Sequence, residues 1–513
     1  NGGAQNANVF TKIALALFNQ IPWTNVPTMP IEIMKLPKWF PFNIYKISYW
    51  SRTVLVPLLI ILYKKPTANN PNGINVAEIF SERKLKKQSN TVKNLFLILD
   101  KILRKIEPFF PQNNKKLCLE KAYEWTIKRL NEEHGLGGIF PAMVNSLFAL
   151  TISTEKEHLA KVPMVRKSID KLLVIKDDEA YCQPCVSPIW DTGWMGQTMI
   201  ENNLKIDNLI KWLLKNEITI KGDWAYKDTN LKPGGWAFQF RNEFYPDVDD
   251  TALVGMLLDR FNQKNKNKEI EKCIERTRSW IIGMQSNNGG WGSFDINNTH
   301  YYLNFIPFAD HGALLDPPTA DVSARCLSFI AQLKRKKDKK VVDRSLKYLL
   351  SEQEQNGSWY GRWGTNYIYG TWSVLSALNL LDFPDKKKIF DKSINFLKRK
   401  QREDGGWGED GKTYEKGFKD LVKSSTPSQT AWAILGLMAA GEVKSPEVEL
   451  GIKYLIKNYS KDNGWNEDYY TAVGFPKVFY LKYHGYAKYF PLLAISRFSN
   501  LMDSNSQKPS FGV

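Results

Sequence analysis

The chain has 513 residues, enough for two or more domains, and its 43% hydrophobic and 24% charged residues are typical of a globular protein rather than a disordered one. A net charge of +18 suits a nucleic acid, an anionic membrane surface or an anionic substrate as partner. Five cysteines without regular spacing argue against a disulfide framework, and no apolar run reaches the roughly 18 residues that a membrane-spanning helix needs.

The N-terminal region combines helical patterns with proline breaks. It begins without Met or a signal peptide, so we expect an N-terminal truncation. Residues 54–63 form a short apolar run with basic flanks, which fits either a core helix or a helix that dips into a membrane surface. Residues 64–93 are polar and rich in Lys, Asn and Pro, which indicates a long surface connection.

From Thr91 onward the hydrophobic pattern predicts one helix after another, without an alternating strand pattern. Cys182 and Cys185 have CxxC spacing, but without a second pair or a βαβ context they indicate neither a zinc site nor a redox site. The sequence therefore predicts an all-α chain. The first predicted helices cover residues 95–106, 115–130, 141–150 and 165–175.

Three carboxylates lie within four residues at Asp247, Asp249 and Asp250, directly after Pro246. Proline suits the first turn of a helix, and the apolar run that follows predicts a helix buried almost all round. Aspartates can cap such a helix, but one or two suffice. Three carboxylates away from water cannot all ionise, so one should keep its proton. The group is either a helix cap or a strong general acid suited to a base as weak as an alkene.

A turn motif recurs through the C-terminal half. Residues 285–291, 353–359 and 401–407 share the pattern QxxxGxW, and weaker copies end at Trp224 and Trp465. Repeats of this length in an all-α chain indicate stacked helix pairs. The Gln amide can close a helix end, the Gly permits a tight turn and the Trp packs on the neighbouring unit, so their expected role is structural.

These turns and the run DVDDTA at residues 247–252 resemble the triterpene cyclases, in the squalene-hopene cyclase branch of that family. The resemblance implies two α/α-barrel (helical toroid) domains of stacked helix pairs, an incomplete one over residues 1–175 and a C-terminal one over residues 176–513. It also implies a large apolar cavity, peripheral (monotopic) attachment to the cytoplasmic face of the cell membrane, and a homodimer. Other segments that look like the family are residues 48–52, 187–193, 232–240, 361–364 and 426–432.

The same resemblance implies an isomerase that cyclises squalene to a hopanoid, either hopene or, after water capture, hopanol. Asp249 would protonate the terminal alkene, with Asp247 and Asp250 sharing the negative charge beside it. Asp321 and Arg325 would complete the acid site, although their i,i+4 spacing also fits a plain helix ion pair. A member of the family has His at the position of Arg325. Because arginine stays charged, it should stabilise the carboxylate after proton donation rather than exchange protons.

Aromatic faces can hold the migrating carbocation, each contributing roughly 0.5–2 kcal/mol when desolvated, although any single aromatic also fits core packing. Phe294 stands where a member of the family has Tyr. Positions that match cavity aromatics of the family are Phe10, Trp50, Trp190, Phe238, Phe294, Trp363, Phe475, Phe479, Tyr483 and Tyr486.

Competing functions stay open at this point. A Mg²⁺-dependent terpene synthase needs a second metal motif, and a zinc prenyltransferase subunit needs an Asp, Cys and His ligand set; the sequence shows neither, so we predict no metal and no cofactor. A cyclase of another linear polyprene and a non-catalytic helical-repeat protein also fit. The expected partners are squalene and membrane lipid, not nucleic acid.

Overall fold

The computed structural model describes residues 3–81, 91–309, 312–419 and 421–513, so residues 82–90 of the predicted surface connection lie outside the described ranges. The chain divides into two units. The first is Asn1–Val186 with Asn298–Asp316, and the second is Ser187–Asn297 with Pro317–Val513. Within the described ranges, no helix is both long enough and apolar enough to cross a membrane.

In its described residues, the first unit contains helices and one antiparallel hairpin. Its elements are α1 (Val9–Leu17), α2 (Tyr49–Lys64), α3 (Thr91–Ile106), α4 (Gln112–Lys128), α5 (Phe140–Thr151), α6 (Lys156–Leu159), α7 (Val162–Asp170), β1 (Leu173–Ile175) and β2 (Ala180–Cys182).

The apolar run at residues 54–63 belongs to the core of this unit. It lies in α2, which packs against α4 and α5, and Leu58, Leu59 and Ile60 are buried. The membrane-dipping interpretation of this run is therefore wrong. The helix predicted over residues 165–175 ends at Asp170, because the β-branched Val174 and its neighbours pair in the hairpin instead.

The second unit carries the repeats. Its elements are α8 (Pro188–Glu201), α9 (Asp207–Lys215), α10 (Val248–Asn265), α11 (Lys268–Gly283), α12 (Ala320–Gln332), α13 (Lys339–Ser351), α14 (Tyr367–Asn379), α15 (Lys386–Lys400), α16 (Pro427–Ala439), α17 (Pro446–Lys457), β3 (Ala472–Phe475), β4 (Phe479–Leu481) and α18 (Tyr486–Asp503).

Alternate helices of the second unit form an inner ring. The even-numbered helices α8 to α18 pack against one another in sequence order, and α18 packs against α8. Every residue of α12, α14 and α16 is buried, whereas the odd-numbered helices bury one face against their even-numbered neighbours. This arrangement confirms the all-α fold of stacked helix pairs.

Each repeat turn joins an outer helix to the next inner one. Gln353 Nε2 donates to the carbonyl oxygens of Gly357 (3.1 Å) and Ile389 (3.3 Å), and Trp359 Nε1 donates to that of Leu349 (2.7 Å). Gly357 has a φ of +91°, and an added Cβ would lie 2.5 Å from backbone atoms of the next outer helix. These contacts agree with the structural role predicted for the motif.

The first copy of the repeat turn ends at Trp236, not at Trp224 as the sequence predicted. Trp236 Nε1 donates to the carbonyl of Leu213 (2.7 Å), and its backbone N–H donates to Thr251 Oγ1 (2.9 Å) on the next inner helix. Trp407 makes the corresponding backbone bond to Thr430 (2.9 Å). The prediction failed here because this turn has the Gly-Gly-Trp ending but lacks the Gln.

Candidate active site

The acid motif lies at the N-terminus of α10. Asp247 is the N-cap, and its Oδ1 accepts the N–H groups of Asp249 (2.7 Å) and Asp250 (3.1 Å). Asp249 and Asp250 follow in the first turn, and all three side chains are buried. Capping therefore accounts for Asp247 but not for the other two carboxyls.

Asp249 forms an ion pair with Arg325 of α12, Nε to Oδ1, at 3.0 Å. Arg325 is only 3% exposed, and its Nη2 also donates to Tyr369 Oη (3.1 Å) and Ser373 Oγ (3.5 Å) of α14. Asp249 and Tyr369 lie in the first turns of α10 and α14, and the Arg325 side chain reaches them from the middle of α12, so the group lies toward the end of the ring where these helices begin. The ring surrounds a carboxyl and a guanidinium that are both buried from solvent.

The carboxyl groups of α10 hold protons more tightly than usual. Burial raises the pKa of Asp249 to about 6, although Arg325 opposes the rise. Burial also raises the pKa of Asp250 well above its ordinary value, and the charges of Asp247 and Asp249 add to this. Burial lowers the pKa of Arg325, but Asp249 and Tyr369 more than offset it, so Arg325 keeps its proton. A carboxyl that holds its proton more tightly than usual, beside a permanent cation that stabilises its carboxylate, is suited to donate a proton.

Asp321 does not pair with Arg325, so the plain helix ion pair is wrong. Its Oδ1 accepts from Thr319 Oγ1 (2.6 Å) and its Oδ2 accepts the backbone N–H groups of Arg362 (2.8 Å) and Trp363 (3.0 Å). Asp321 therefore holds the segment that carries a predicted cavity aromatic.

Three of the predicted aromatics lie around the acid. Trp190 Nε1 donates to Tyr486 Oη (3.3 Å), and the Trp190 ring centroid is 5.5 Å from Arg325 Cζ. Tyr483 and Tyr486 stack with their centroids 4.2 Å apart. These rings provide the π faces that a cation near the acid would meet.

Three more predicted aromatics are attached to segments that bind the start of α10. Trp363 Nε1 donates to Ser293 Oγ (2.8 Å), and Phe294 is the next residue after Ser293, whose carbonyl accepts Val248 N–H (2.8 Å). Phe238 follows two residues after Trp236, whose carbonyl accepts Asp247 N–H (2.7 Å).

The remaining predicted aromatics lie elsewhere. Phe475 and Phe479 face each other across the β3–β4 hairpin, and Phe479 is 38% exposed. Phe10 and Trp50 belong to the first unit, where Phe10 packs on a core cluster and Trp50 Nε1 donates to the carbonyl of Ala313 (2.7 Å). In the described part of the chain, no group of three or more His, Cys, Asp or Glu side chains is arranged to hold a metal ion.

Sequence reasoning missed several residues of the site. Tyr369 and Ser373 bind Arg325, and Trp194 and Trp372 pack on its guanidinium, with ring centroids 5.0 and 5.3 Å from Cζ. The available signal was the i,i+4 spacing of Tyr369 and Ser373, which places both on one side of α14, a helix buried along its whole length.

A ring of helix pairs around a buried acid and aromatic rings is consistent with a helical terpene cyclase. The family models of the squalene-hopene cyclase N-terminal and C-terminal domains match residues 1–178 and 186–500, respectively. The chain therefore belongs to the squalene-hopene cyclase family. It is 48% identical over 528 residues to the squalene–hopene cyclase of Bradyrhizobium diazoefficiens and 47% over 536 residues to that of Zymomonas mobilis, covering 100% of this chain and 80% of each relative. It is 40% identical over 515 residues to that of Alicyclobacillus acidocaldarius, covering 98% of this chain and 81% of the relative.

Proposed function

We propose that this chain cyclises squalene to a pentacyclic hopanoid, hopene or hopanol. The observation that carries the proposal is the buried Asp249–Arg325 pair among aromatic rings at the end of the ring where the inner helices begin. An alkene is a very weak base, so a carboxyl can protonate it only where water does not compete for the proton. Membership of the squalene-hopene cyclase family supports squalene as the substrate.

The reaction starts when the O–H bond of Asp249 breaks and the proton adds to a terminal alkene carbon, which leaves a cation on the adjacent carbon. Each following double bond attacks the cation, closes a ring and moves the charge along the chain. The last cation loses a proton to water to give hopene, or binds water and then loses a proton to give hopanol. Arg325 Nε, 3.0 Å from Asp249 Oδ1, stabilises the carboxylate that remains.

Asp247 and Asp250 limit the negative charge beside the acid. The charge on Asp247 is stabilised by two backbone N–H groups. The raised pKa of buried Asp250 favours its protonated form, so Asp247 and Asp250 together carry less negative charge. Arg325 cannot return a proton to Asp249 because its own pKa lies above the ordinary value. The returning proton therefore comes from a group other than residue 325.

Product analysis tests this proposal. The detergent-solubilised protein is incubated with squalene, with and without EDTA, and the extract is analysed by gas chromatography with mass spectrometry. We expect hopene, with hopanol as the hydrated product, in both samples. A folded protein that leaves squalene intact but cyclises another linear polyprene would overturn the substrate, and a strict need for a divalent metal would overturn the mechanism.

We further propose that the protein binds the cytoplasmic face of the cell membrane through α3. Leu95, Ile98 and Ile102 share one side of this helix and are 54%, 54% and 50% exposed. Two of its polar side chains contact the protein: Asp100 Oδ1 accepts Thr28 N–H (2.6 Å), and Arg104 Nη2 donates to the carbonyl of Val26 (2.8 Å). An exposed aliphatic face with lysines nearby is typical of an interfacial helix.

Vesicle co-sedimentation tests the role of α3. The double variant Ile98→Gln, Ile102→Gln, which removes apolar surface without changing the charge, should bind anionic phospholipid vesicles far less than the unmodified protein. Ile456→Gln is the control, because Ile456 is a similarly exposed aliphatic residue (59%) on α17 of the other unit. Equal losses in both variants, or none in either, would contradict this role. The homodimer implied by the family stays a prediction, and a single-chain mass by light scattering in detergent would refute it.

A further inference from the structure

The Arg325 guanidinium lies among three tryptophan rings, which we call the tryptophan cage (Trp190, Trp194 and Trp372). The distances from Cζ to the ring centroids are 5.5, 5.0 and 5.3 Å. These distances fall within the range of about 6 Å over which a ring face attracts a cation. Because Arg325 is 3% exposed, this attraction is not weakened by bulk water.

Trp194 and Trp372 differ from the tryptophans of the repeat turns. Trp291, Trp359 and Trp407 each donate Nε1–H to a carbonyl of the preceding outer helix. Trp194 and Trp372 are fully buried, yet neither indole N–H has an acceptor within the described chain. Since their N–H groups make no hydrogen bond, what these two side chains offer Arg325 is their ring faces.

The ion pair itself needs such support. Arg325 binds Asp249 through Nε alone, not through the two-point fork that fixes a guanidinium against a carboxylate. A second carboxylate, Asp321, lies one helical turn earlier on α12 and would attract the same cation. Ring faces around the guanidinium restrict its plane and oppose its rotation toward that second acid.

We propose that Trp194 and Trp372 are positioning residues of the proton-transfer step, which hold the Arg325 guanidinium against Asp249. The inference rests on the proposed function, because it concerns the acidity of the group that protonates the alkene. Neither tryptophan needs to touch the substrate for this role. The other titratable groups around the pair are Asp247 and Asp250 on α10, Asp321 on α12, Tyr369 on α14, Tyr486 on α18 and, facing Asp250, Asp191 on α8.

The test is the pH dependence of kcat for Trp372→Phe and Trp372→Leu with squalene. Without the ring face, Arg325 stabilises the Asp249 carboxylate less, so the pKa of Asp249 rises. Asp249 then becomes a weaker acid that stays protonated to higher pH. For Trp372→Leu we expect the alkaline limb to move up by about one pH unit and the plateau of kcat to fall about tenfold, with KM unchanged. Trp372→Phe keeps a weaker face and should give an intermediate shift.

Trp280→Leu is the matched control. Trp280 is also fully buried with no acceptor for its indole N–H in the described ranges, but it packs against Trp224 on the outer layer. It should lower the melting temperature as much as Trp372→Leu without moving the alkaline limb. If Trp372→Leu does not fold, Trp372→Phe and Trp194→Phe carry the test with smaller shifts.

The outcomes separate the two proposals. A wild-type protein that makes no hopanoid from squalene refutes the proposed function. The role of the tryptophan cage is overturned if the wild type is active but the Trp372 and Trp194 variants show the same alkaline limb of the kcat–pH profile as the wild type and Trp280→Leu.

Discussion

The two ends of the inner ring each bury a carboxylate against arginine, with opposite consequences for the proton. Where the inner helices begin, burial raises the pKa of Asp249 to about 6 despite the neighbouring Arg325. Where they end, burial also acts on Glu201 of α8, but Arg497 and Arg260 outweigh it and lower its pKa to about 2.

The difference follows from the ratio of carboxylates to guanidiniums. Glu201 Oε2 pairs with both Arg260 (2.7 Å) and Arg497 (3.1 Å), so the negative charge is stabilised by two cations. Asp249 has one arginine and several acids nearby. An excess of cations makes a permanent ion pair that stabilises the fold, whereas an excess of acids leaves a proton available for chemistry.

The largest effect is expected for Asp249→Asn. The amide cannot donate a proton to an alkene, so turnover should fall about 10⁴-fold or below detection. Measured below pH 6, the melting temperature should fall far less than that of Glu201→Gln, because Asp249 is itself protonated there and the amide replaces a neutral carboxyl beside Arg325. Squalene turnover and circular dichroism of the purified variant test this, and appreciable activity would show that Asp249 is not the acid.

At the opposite end, Glu201→Gln should lose stability rather than activity. It leaves two buried guanidiniums without their carboxylate, which costs about 3–5 kcal/mol of unfolding free energy. Glu271→Gln is the control, since Glu271 is 52% exposed and pairs with Arg335 at the surface, where such a pair contributes at most about 1 kcal/mol. A stable but inactive Glu201→Gln protein would refute the comparison.

The two carboxyls should also respond to different pH ranges. Protonated Asp249 is the active form, so kcat should fall about tenfold per pH unit above a pH of about 6. Glu201, whose folded pKa is depressed to about 2 from 4.5, contributes stability above pH 4.5 that is lost as the pH falls toward 2. The stability difference between wild type and Glu201→Gln should therefore be constant from pH 8 to about 5 and shrink below. A kcat that does not change between pH 5 and 8 would exclude Asp249 as the titrating acid.

The smallest effect is expected for Phe511→Leu. Arg260 Cζ lies 4.4 Å from the Phe511 ring centroid, so this variant removes an aromatic face from the structural pair. The unfolding free energy should fall by about 0.5–2 kcal/mol, with no shift of the kcat–pH profile. An altered profile would mean that the two ends of the ring are not independent.

The sequence predicted the parts of this account that depend on local order. A proline followed by three aspartates and an apolar run is enough to place the acids at the start of a buried helix, and α10 begins at Val248 with Asp247 as its cap. The QxxxGxW spacing likewise predicted the stacked helix pairs, because Gln, Gly and Trp act within one turn and its neighbours.

Contacts between distant segments were not predictable in this way. The binding of Arg325 to Asp249 rather than Asp321 depends on how α10 and α12 pack, since i,i+4 spacing favoured the local pair. The tryptophan cage combines rings from α8 and α14, and a tryptophan on an apolar helix looks the same in sequence whether it packs on leucine or on a cation. The placement of Asn298–Asp316 in the first unit had no local signal either.

The most direct test of the account is cyclisation of squalene in D₂O. If the exchangeable proton of Asp249 starts the reaction, hopene formed there carries one deuterium bound to carbon at the end of the molecule where cyclisation began. Hopene of unchanged mass from the same incubation would contradict protonation by a buried acid.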